Sequence, residues 1–255
     1  MDDTVRAFYD QFAASYHLIF ADWHASIERQ AAVLDHLVRE ALGPGPQHML
    51  DCACGIGTQA VGLAHLGHRV HATDLSPAAV ARAEQEARLA GVSLSVAVAD
   101  MRKLAQQVPG TFDVVLACDN ALPHLLTDDD LHRAAVNIAS KLRPGGLFLA
   151  SVRDYDLLVQ SRPRTEMPRV FDSPDGQRIA FQVWDWAPDG REYQVRQFLL
   201  RNHHDQWRTE HLATRYRALL RADLEAALRL AGLGQISWIE PEESGYYQPV
   251  VTARA

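Results

Sequence analysis

The segment HMLDCACGIGTQAVGLAHLG, residues 48–67, constrains the fold of this chain more than any other. A short apolar run, Met49 to Cys52, meets a turn with glycine at 55 and 57 and passes at once into an Ala/Leu-rich helical stretch. Such a strand, glycine turn and helix form the opening unit of an α/β sheet. The pattern then recurs. RVHATDL reads as a second strand ending at Asp74, and SPAAVARAEQEARLAG as a helix with Ser76 at its cap and Pro77 in its first turn. LSVAVAD is a third strand ending at Asp100, FDVVLACDN a fourth ending near Asp119, and PGGLFLASVRD a fifth ending near Arg153. DDDLHRAAVNIASKL, between the last two, reads as a helix with acidic residues at its positive end. Strands rich in Val, Leu and Ala that alternate with helices predict a mostly parallel sheet covered on both faces. Functional side chains are then expected beyond the carboxyl ends of the strands.

The flanks read differently. Ile27, Ala31, Leu34, Val38 and Ala41 recur at helical spacing and predict a helix from about Asp22 to Leu42, with Asp22, Trp23 and His24 as its cap and GPGP at 43–46 as its stop. The aromatic stretch before it, with Phe8, Tyr9, Phe12, Tyr16 and Phe20, reads as a lid or a hydrophobic flap. After about residue 160, RIAFQVWDWA, REYQVRQFLLR and WRTEHLATRYRAL alternate in part and predict an antiparallel patch that walls a pocket. A helix near 221–231 and strands at QISWIE and YYQPVVTA complete the sheet. The expected organisation is a lid over 1–42, a core over 43–160 and 218–255, and an insertion over 161–217. Arg215, Arg217 and Arg221 read as a solvated face, and His203 with His204 as a surface turn.

A formal charge of −7 with neutral histidines gives no global basic field for a nucleic-acid backbone. Three cysteines, two of them at a buried strand end, fit a reducing compartment. The start MDDTVRAFYD has no secretory pattern, and no apolar run approaches the roughly 20 residues that span a bilayer. The expectation is a cytoplasmic protein with no membrane or nucleic-acid partner, for which a homo-oligomer is allowed. Twelve histidines form no H-E-x-x-H, so no metal is required.

Gly55 and Gly57 let the backbone approach a ligand where a Cβ would intrude, beside the free amides of a helix start. A short G-x-G alone equally describes a tight turn. Asp74, seventeen residues after Gly57 at the next strand end, adds a carboxylate able to accept both hydroxyls of a ribose, which points to a nucleoside ligand. The phosphate-loop pattern G-x-x-x-x-G-K-S/T is missing. A nicotinamide dinucleotide stays open, because Gly55, Gly57 and Ala60 align with G-x-G-x-x-G/A.

With these motifs in order, the chain resembles the class I S-adenosylmethionine-dependent methyltransferases. Asp51-Cys52-Ala53-Cys54-Gly55-Ile56-Gly57 is similar to the family's first motif, an acidic residue followed by G-x-G-x-G, with Ala53 in place of the first glycine. ATDLS, VADMRKL, FDVVLACDNALPHL and KLRPGG continue the match. The resemblance implies a three-layer Rossmann-like α/β fold with a seven-stranded, mostly parallel sheet, a terminal antiparallel strand and a small antiparallel β insertion. It also implies S-adenosyl-L-methionine as cofactor and S-adenosyl-L-homocysteine as product. Gly55 and Gly57 would lie against the methionine part, Asp74 on the ribose, Asp100 on the adenine amino group with Met101 against its ring, and Asp119 and Asn120 by the methionyl amine and sulfonium. Trp23, Ala53 and Leu75 complete the expected cofactor set.

Within that class the opening FYDQFAASYHLIFADWHASIERQ and the segment VRDYD at 152–156 are similar to the glycine and sarcosine N-methyltransferases and their small-molecule relatives. The resemblance places Arg153 on a substrate carboxylate, although Val152 and Asp154 replace the histidine and asparagine of the group's H-R-N-Y-D. An ion pair of Arg153 with Asp154 or Asp156 is the alternative. His124 is the candidate base for an amine, Tyr16 a candidate to orient it, and Tyr9, Trp184 and Tyr246 candidate aromatic walls. The expected activity is methyl transfer to the amine of a small metabolite, an amino acid or another carboxylate-bearing amine. An O-methyltransferase and a nicotinamide-dependent oxidoreductase are the other readings.

Overall fold

The structure is a computed structural model that describes residues 3–173, 176–203 and 206–255. Its seven-stranded sheet runs β10-β11-β5-β4-β1-β2-β3. The strands are β1 (His48–Asp51), β2 (Arg69–Asp74), β3 (Ser95–Val98), β4 (Phe112–Ala117), β5 (Leu142–Ser151), β10 (Gly234–Ile239) and β11 (Val250–Arg254). β1 pairs in parallel with both β2 and β4, so the order reverses there, and the crevice above their carboxyl ends is the topological switch point at which open α/β sheets bind ligands. β11 is antiparallel to both β5 and β10.

The covering helices are α1 (Asp3–Phe12), α2 (Trp23–Leu42), α3 (Thr58–His65), α4 (Pro77–Leu89), the single turn α5 (Leu104–Gln107), α6 (Asp128–Ala139), α7 (Tyr155–Ser161), α8 (Arg221–Leu230) and the single turn α9 (Pro241–Ser244). Their starts follow the sequence signals. The Asp22 side chain accepts from the Ala25 amide, Ser76 from Ala79 and Thr127 from Asp130, each capping one free N–H. Two apolar layers sandwich the sheet. Leu50, Val115, Phe148 and Val251 face the α6 and α8 side, while Met49, Val114, Leu116 and Leu149 meet Leu34 of α2 and Leu63 of α3.

The insertion is a four-stranded antiparallel sheet, β6 (Arg169–Ser173), β7 (Gly176–Trp186), β8 (Glu192–His203) and β9 (Gln206–Arg217). The edge strand β6 adds a fourth member to the three stretches expected, because a five-residue run is too short to display alternation. The connection at 204–205, and with it His204, lies outside the described residues.

One expectation needs correction. Of the three arginines read as a solvated face, Arg217 is 9% exposed and bonds Asp128 at 2.8 Å, and Arg221 reaches Asp154 and Glu240. These guanidinium groups tie β9 and α8 to neighbouring elements, and partners 67 and 89 residues away leave no local pattern to read. None of the described helices is long and apolar enough to cross a membrane.

Candidate active site

The two glycines of the β1–α3 turn do different work. Both have left-handed backbone, φ +53° at Gly55 and +97° at Gly57. Gly55 faces open space and its N–H donates to Asp74 Oδ2 at 2.9 Å. A Cβ on Gly57 would meet Val61 Cγ2 at 3.0 Å and the Ala83 methyl at 3.3 Å, so this glycine lets α3 pack on α4. Trp23 stands behind the turn, 5% exposed, with its indole N–H on Thr58 Oγ1 at 3.0 Å. Ala53, Gly55 and Leu75 line the crevice itself.

Three carboxylates stand at the carboxyl ends of β1, β2 and β4, and two of them, Asp74 and Asp119, line the crevice. Asp51, 1% exposed, uses Oδ1 for the Ala53 amide, while its Oδ2 has no partner. Asp74 accepts from the amides of Gly55 and Ser76. Asp119 is carried into the crevice by two successive left-handed residues at the end of β4, φ +56° at Asp119 and +64° at Asn120, and its Oδ1 lies 2.7 Å from the Tyr246 hydroxyl. Asp and Asn tolerate this conformation better than other side chains, and such strain collects at sites. Burial raises the affinity of all three carboxyls for a proton, that of Asp51 to about 8, and Asp51 feels Asp74 and Asp119 in the same direction. Among the described residues none of the three forms an ion pair with a lysine or arginine.

Asp100 is engaged elsewhere. Its Oδ1 caps the Arg102 amide at 2.9 Å and its Oδ2 pairs with Arg102 Nη2 at 2.7 Å, leaving Ala99 and Met101 to line the crevice at that level.

His124 sits in the wall between this crevice and the antiparallel sheet, 3% exposed. Its Nδ1 lies 3.3 Å from the Arg215 carbonyl and its Nε2 2.9 Å from the Tyr9 hydroxyl, so a proton on Nδ1 leaves Nε2 to accept from Tyr9. Burial lowers its pKa to about 3. The ring also packs against Tyr216 with centroids 4.2 Å apart. In this arrangement the imidazole is neutral and engaged, and it anchors α1. The other side of α1 is anchored by Asp10 Oδ1, which accepts from the Ser76 hydroxyl at 2.6 Å and the Ala78 amide at 3.2 Å. Beneath α1 the crevice retains only about 60 Å³.

A second and far larger cavity, about 1130 Å³, shares Tyr9, Tyr16 and Asp119 with the crevice and opens toward the inner face of the insertion. Burial, then the nearby Asp119 and Tyr216, push the Tyr16 hydroxyl well above the usual phenol range, so it stays protonated. Asn120 lines this cavity, and its side-chain oxygen accepts from the Arg153 amide at 3.1 Å. Arg153 lies with its guanidinium 4.7 Å above the Trp184 ring, donates from Nη1 to the Tyr193 hydroxyl, and donates from Nη2 to Gln182 Oε1 at 2.9 Å and Glu166 Oε1 at 3.3 Å. Its ion pair is therefore with Glu166, while Asp154 and Asp156 serve Arg221. Glu166, Gln182, Tyr193 and Tyr216 join the site only through the fold of the insertion; alternation along the strands was the sole sequence signal for Gln182, Tyr193 and Tyr216, and Glu166, which precedes the first of these strands, had none. Among the described residues no three potential metal ligands come together.

Comparison with known proteins agrees with this architecture. Residues 49–146 match the family model described as "Methyltransferase domain". The chain is 31% identical to the glycine/sarcosine N-methyltransferase of Parasynechococcus marenigrum, over 54% of this chain and 48% of that one. It is 37% identical to the ubiquinone biosynthesis O-methyltransferase of Xanthomonas euvesicatoria, over 41% and 42%. The chain thus spans about half the length of the curated relatives it matches. In fold it superposes on DesVI of Streptomyces venezuelae with a TM-score of 0.76 at 19% identity, covering 99% of this chain and 98% of that one. In strand order, in the glycine turn with its carboxylates and in these matches together, the chain is similar to the class I S-adenosylmethionine-dependent methyltransferases, among them the glycine/sarcosine N-methyltransferases and other small-molecule methyltransferases.

Proposed function

We propose that this protein transfers the methyl group of S-adenosylmethionine to the amine of a small metabolite. The observation that carries the reading is that Asp74 and Asp119 line the crevice with Asp51 buried nearby, none of the three ion-paired with a lysine or arginine among the described residues. Buried carboxylates are favourable only when hydrogen-bonded or paired, so the crevice suits a ligand that brings hydroxyls and positive charge. A ribose for Asp74 and an ammonium or sulfonium for Asp119, in the field of the buried Asp51, meet both needs. The pyrophosphate of a nicotinamide dinucleotide would add negative charge to the same wall.

Bound S-adenosylmethionine supplies a methyl group already activated on a positive sulfur. The chain's own residues then orient, enclose and exclude water. Asp74 is held ready by the Gly55 and Ser76 amides, and α1 covers the crevice from above. Tyr16 and Tyr216 line the acceptor side and offer oxygens to an amine whose charge grows as it is methylated.

The state of His124 favours an amine over a hydroxyl. An alcohol oxygen must give up its proton to a base as it attacks, whereas a neutral amine attacks without one. An imidazole with a pKa of about 3, already accepting from Tyr9, is a poor base. We therefore read His124 as a positioning residue for α1.

Titration with S-adenosylhomocysteine and with NAD, followed by a screen of amines and matched alcohols for S-adenosylhomocysteine formation, tests the proposal. Micromolar binding of S-adenosylhomocysteine, none of NAD, and turnover confined to amines are expected. Absence of S-adenosylhomocysteine binding at millimolar concentration would remove the reading, and equal turnover of alcohols would remove the amine.

A further inference from the structure

On the inner face of the insertion the side chains fall into cross-strand rows. Trp186, Tyr193 and Tyr216 form one, Trp184, Val195 and Thr214 the next, and Gln182, Gln197 and Leu212 the third. The large cavity runs over the second row and over Gln182 and Gln197 of the third. The polar groups there are almost all engaged. Gln182 Oε1 accepts from Arg153 and from the Trp184 indole, Gln182 Nε2 donates to Gln197 Oε1, and Gln197 Nε2 donates to the Phe181 and Phe198 carbonyls. Thr214 is the exception. It lines the cavity, is 4% exposed, and its hydroxyl has no hydrogen-bond partner. Its cross-strand neighbour, Val195, offers nothing polar on this face.

A buried hydroxyl without a partner is unfavourable, because it has given up water and received nothing in exchange. Here the residue that carries it lines a cavity large enough for a drug-sized ligand. Its distance from the reacting centre follows from the strand. Thr214 lies two residues from Tyr216 on the same face, and at 3.2–3.4 Å per residue the separation is about 7 Å. That is the length of one substituted ring.

The chemistry of the absent partner is limited by Arg153. A guanidinium grips a carboxylate in two ways, through Nη1 with Nη2 or through Nε with Nη2, and both need Nη2. Nη2 is engaged by Gln182 and Glu166, and the Glu166 carboxylate offsets the positive charge. The wall that a distal acceptor group meets is thus close to neutral, and its unfilled position is a hydroxyl able to donate and accept.

We propose that Thr214 marks a subsite for a neutral hydrogen-bonding group of the acceptor, a hydroxyl or an amide, carried about one ring's length from the atom that is methylated. This rests on the methyl-transfer reading above and narrows its acceptor from an amino acid to a larger amine with a neutral polar end.

Three matched probes test it: cyclohexylamine, trans-4-aminocyclohexanol and trans-4-aminocyclohexanecarboxylate. Each is titrated into the protein loaded with S-adenosylhomocysteine and assayed as an acceptor with S-adenosylmethionine. The aminocyclohexanol is expected to bind about tenfold more tightly than the other two, with the margin in KM and not in kcat. Thr214→Val, which keeps the shape and removes the hydroxyl, is expected to abolish the margin, and Thr214→Ser to keep it. S-adenosylhomocysteine titration of the same variants reports that they are folded. Equal binding of the three probes, preference for the carboxylate, or a margin that survives Thr214→Val would each overturn the subsite. Failure of the wild-type protein to bind S-adenosylhomocysteine would overturn the methyltransferase reading instead.

Discussion

At the scale of single residues, the crevice is defined by what its carboxyl groups lack. Asp51 holds a proton to about pH 8 because burial penalises its charge, with Asp74 and Asp119 adding to the effect. An unfolded aspartate loses that proton near pH 3.9. The folded state thus binds the extra proton, and the stability this group contributes is complete below about pH 4, declines as pH rises and is lost above about 8. A ligand bringing positive charge reverses the preference by favouring the ionised form. S-adenosylmethionine is therefore expected to release close to one proton on binding at pH 6 and to bind more tightly as pH rises toward 8. Calorimetry in buffers of different ionisation heat measures the released proton directly, and proton uptake would show the sign to be wrong. Asp51 was legible in the sequence as part of the motif; its unpartnered oxygen was not, because partners are a property of packing.

At the scale of elements, α1 decides access. It is held on one side by Tyr9 on His124 and on the other by Asp10 on Ser76 and Ala78, and the space left beneath it is far smaller than the 300 Å³ or more typical of ligand sites. Entry of a nucleoside past α1 therefore requires α1 to move. Tyr9→Phe keeps the ring and removes the hydroxyl bond, whose net worth is about 1 kcal/mol. Dissociation of S-adenosylhomocysteine is expected to quicken about threefold to tenfold in this variant, measured by stopped flow. An unchanged rate would mean that the ligand leaves by another path. The sequence showed an amphipathic, aromatic segment and left open whether it was a lid or a flap over the core. Its phase could not show that Tyr9 meets His124, 115 residues away.

At the scale of the whole molecule, the N-terminal segment is tied to the insertion as well as to the core. Arg178 of β7 donates from Nε to the Leu18 carbonyl and from Nη2 to the Phe20 and Ala21 carbonyls, and its guanidinium lies 4.8 Å from the centre of the Phe171 ring. These bonds span about 160 residues and join the acceptor wall to the segment covering the cofactor crevice. Loss of them in Arg178→Ala is expected to cost about 2 kcal/mol, which for a chain of this size lowers Tm by roughly 4–8 °C. Faster hydrogen exchange across residues 16–21 should accompany it, and exchange unaltered there would show that the tie is not structural. The parallel sheet, the glycine turn and Asp74 were all readable from residues 48–151, because hydrophobic period, caps and strand ends are local signals that tertiary packing here reinforced; the strand order and its switch point were not local signals. The acceptor wall was not readable either: Glu166, Gln182, Thr214 and Tyr216 lie far apart in the chain, and alternation along a strand identifies a face without identifying what it faces. Only the folding of the insertion over the strand ends decides that, and with it which groups Arg153 already holds and which hydroxyl is left to meet a ligand.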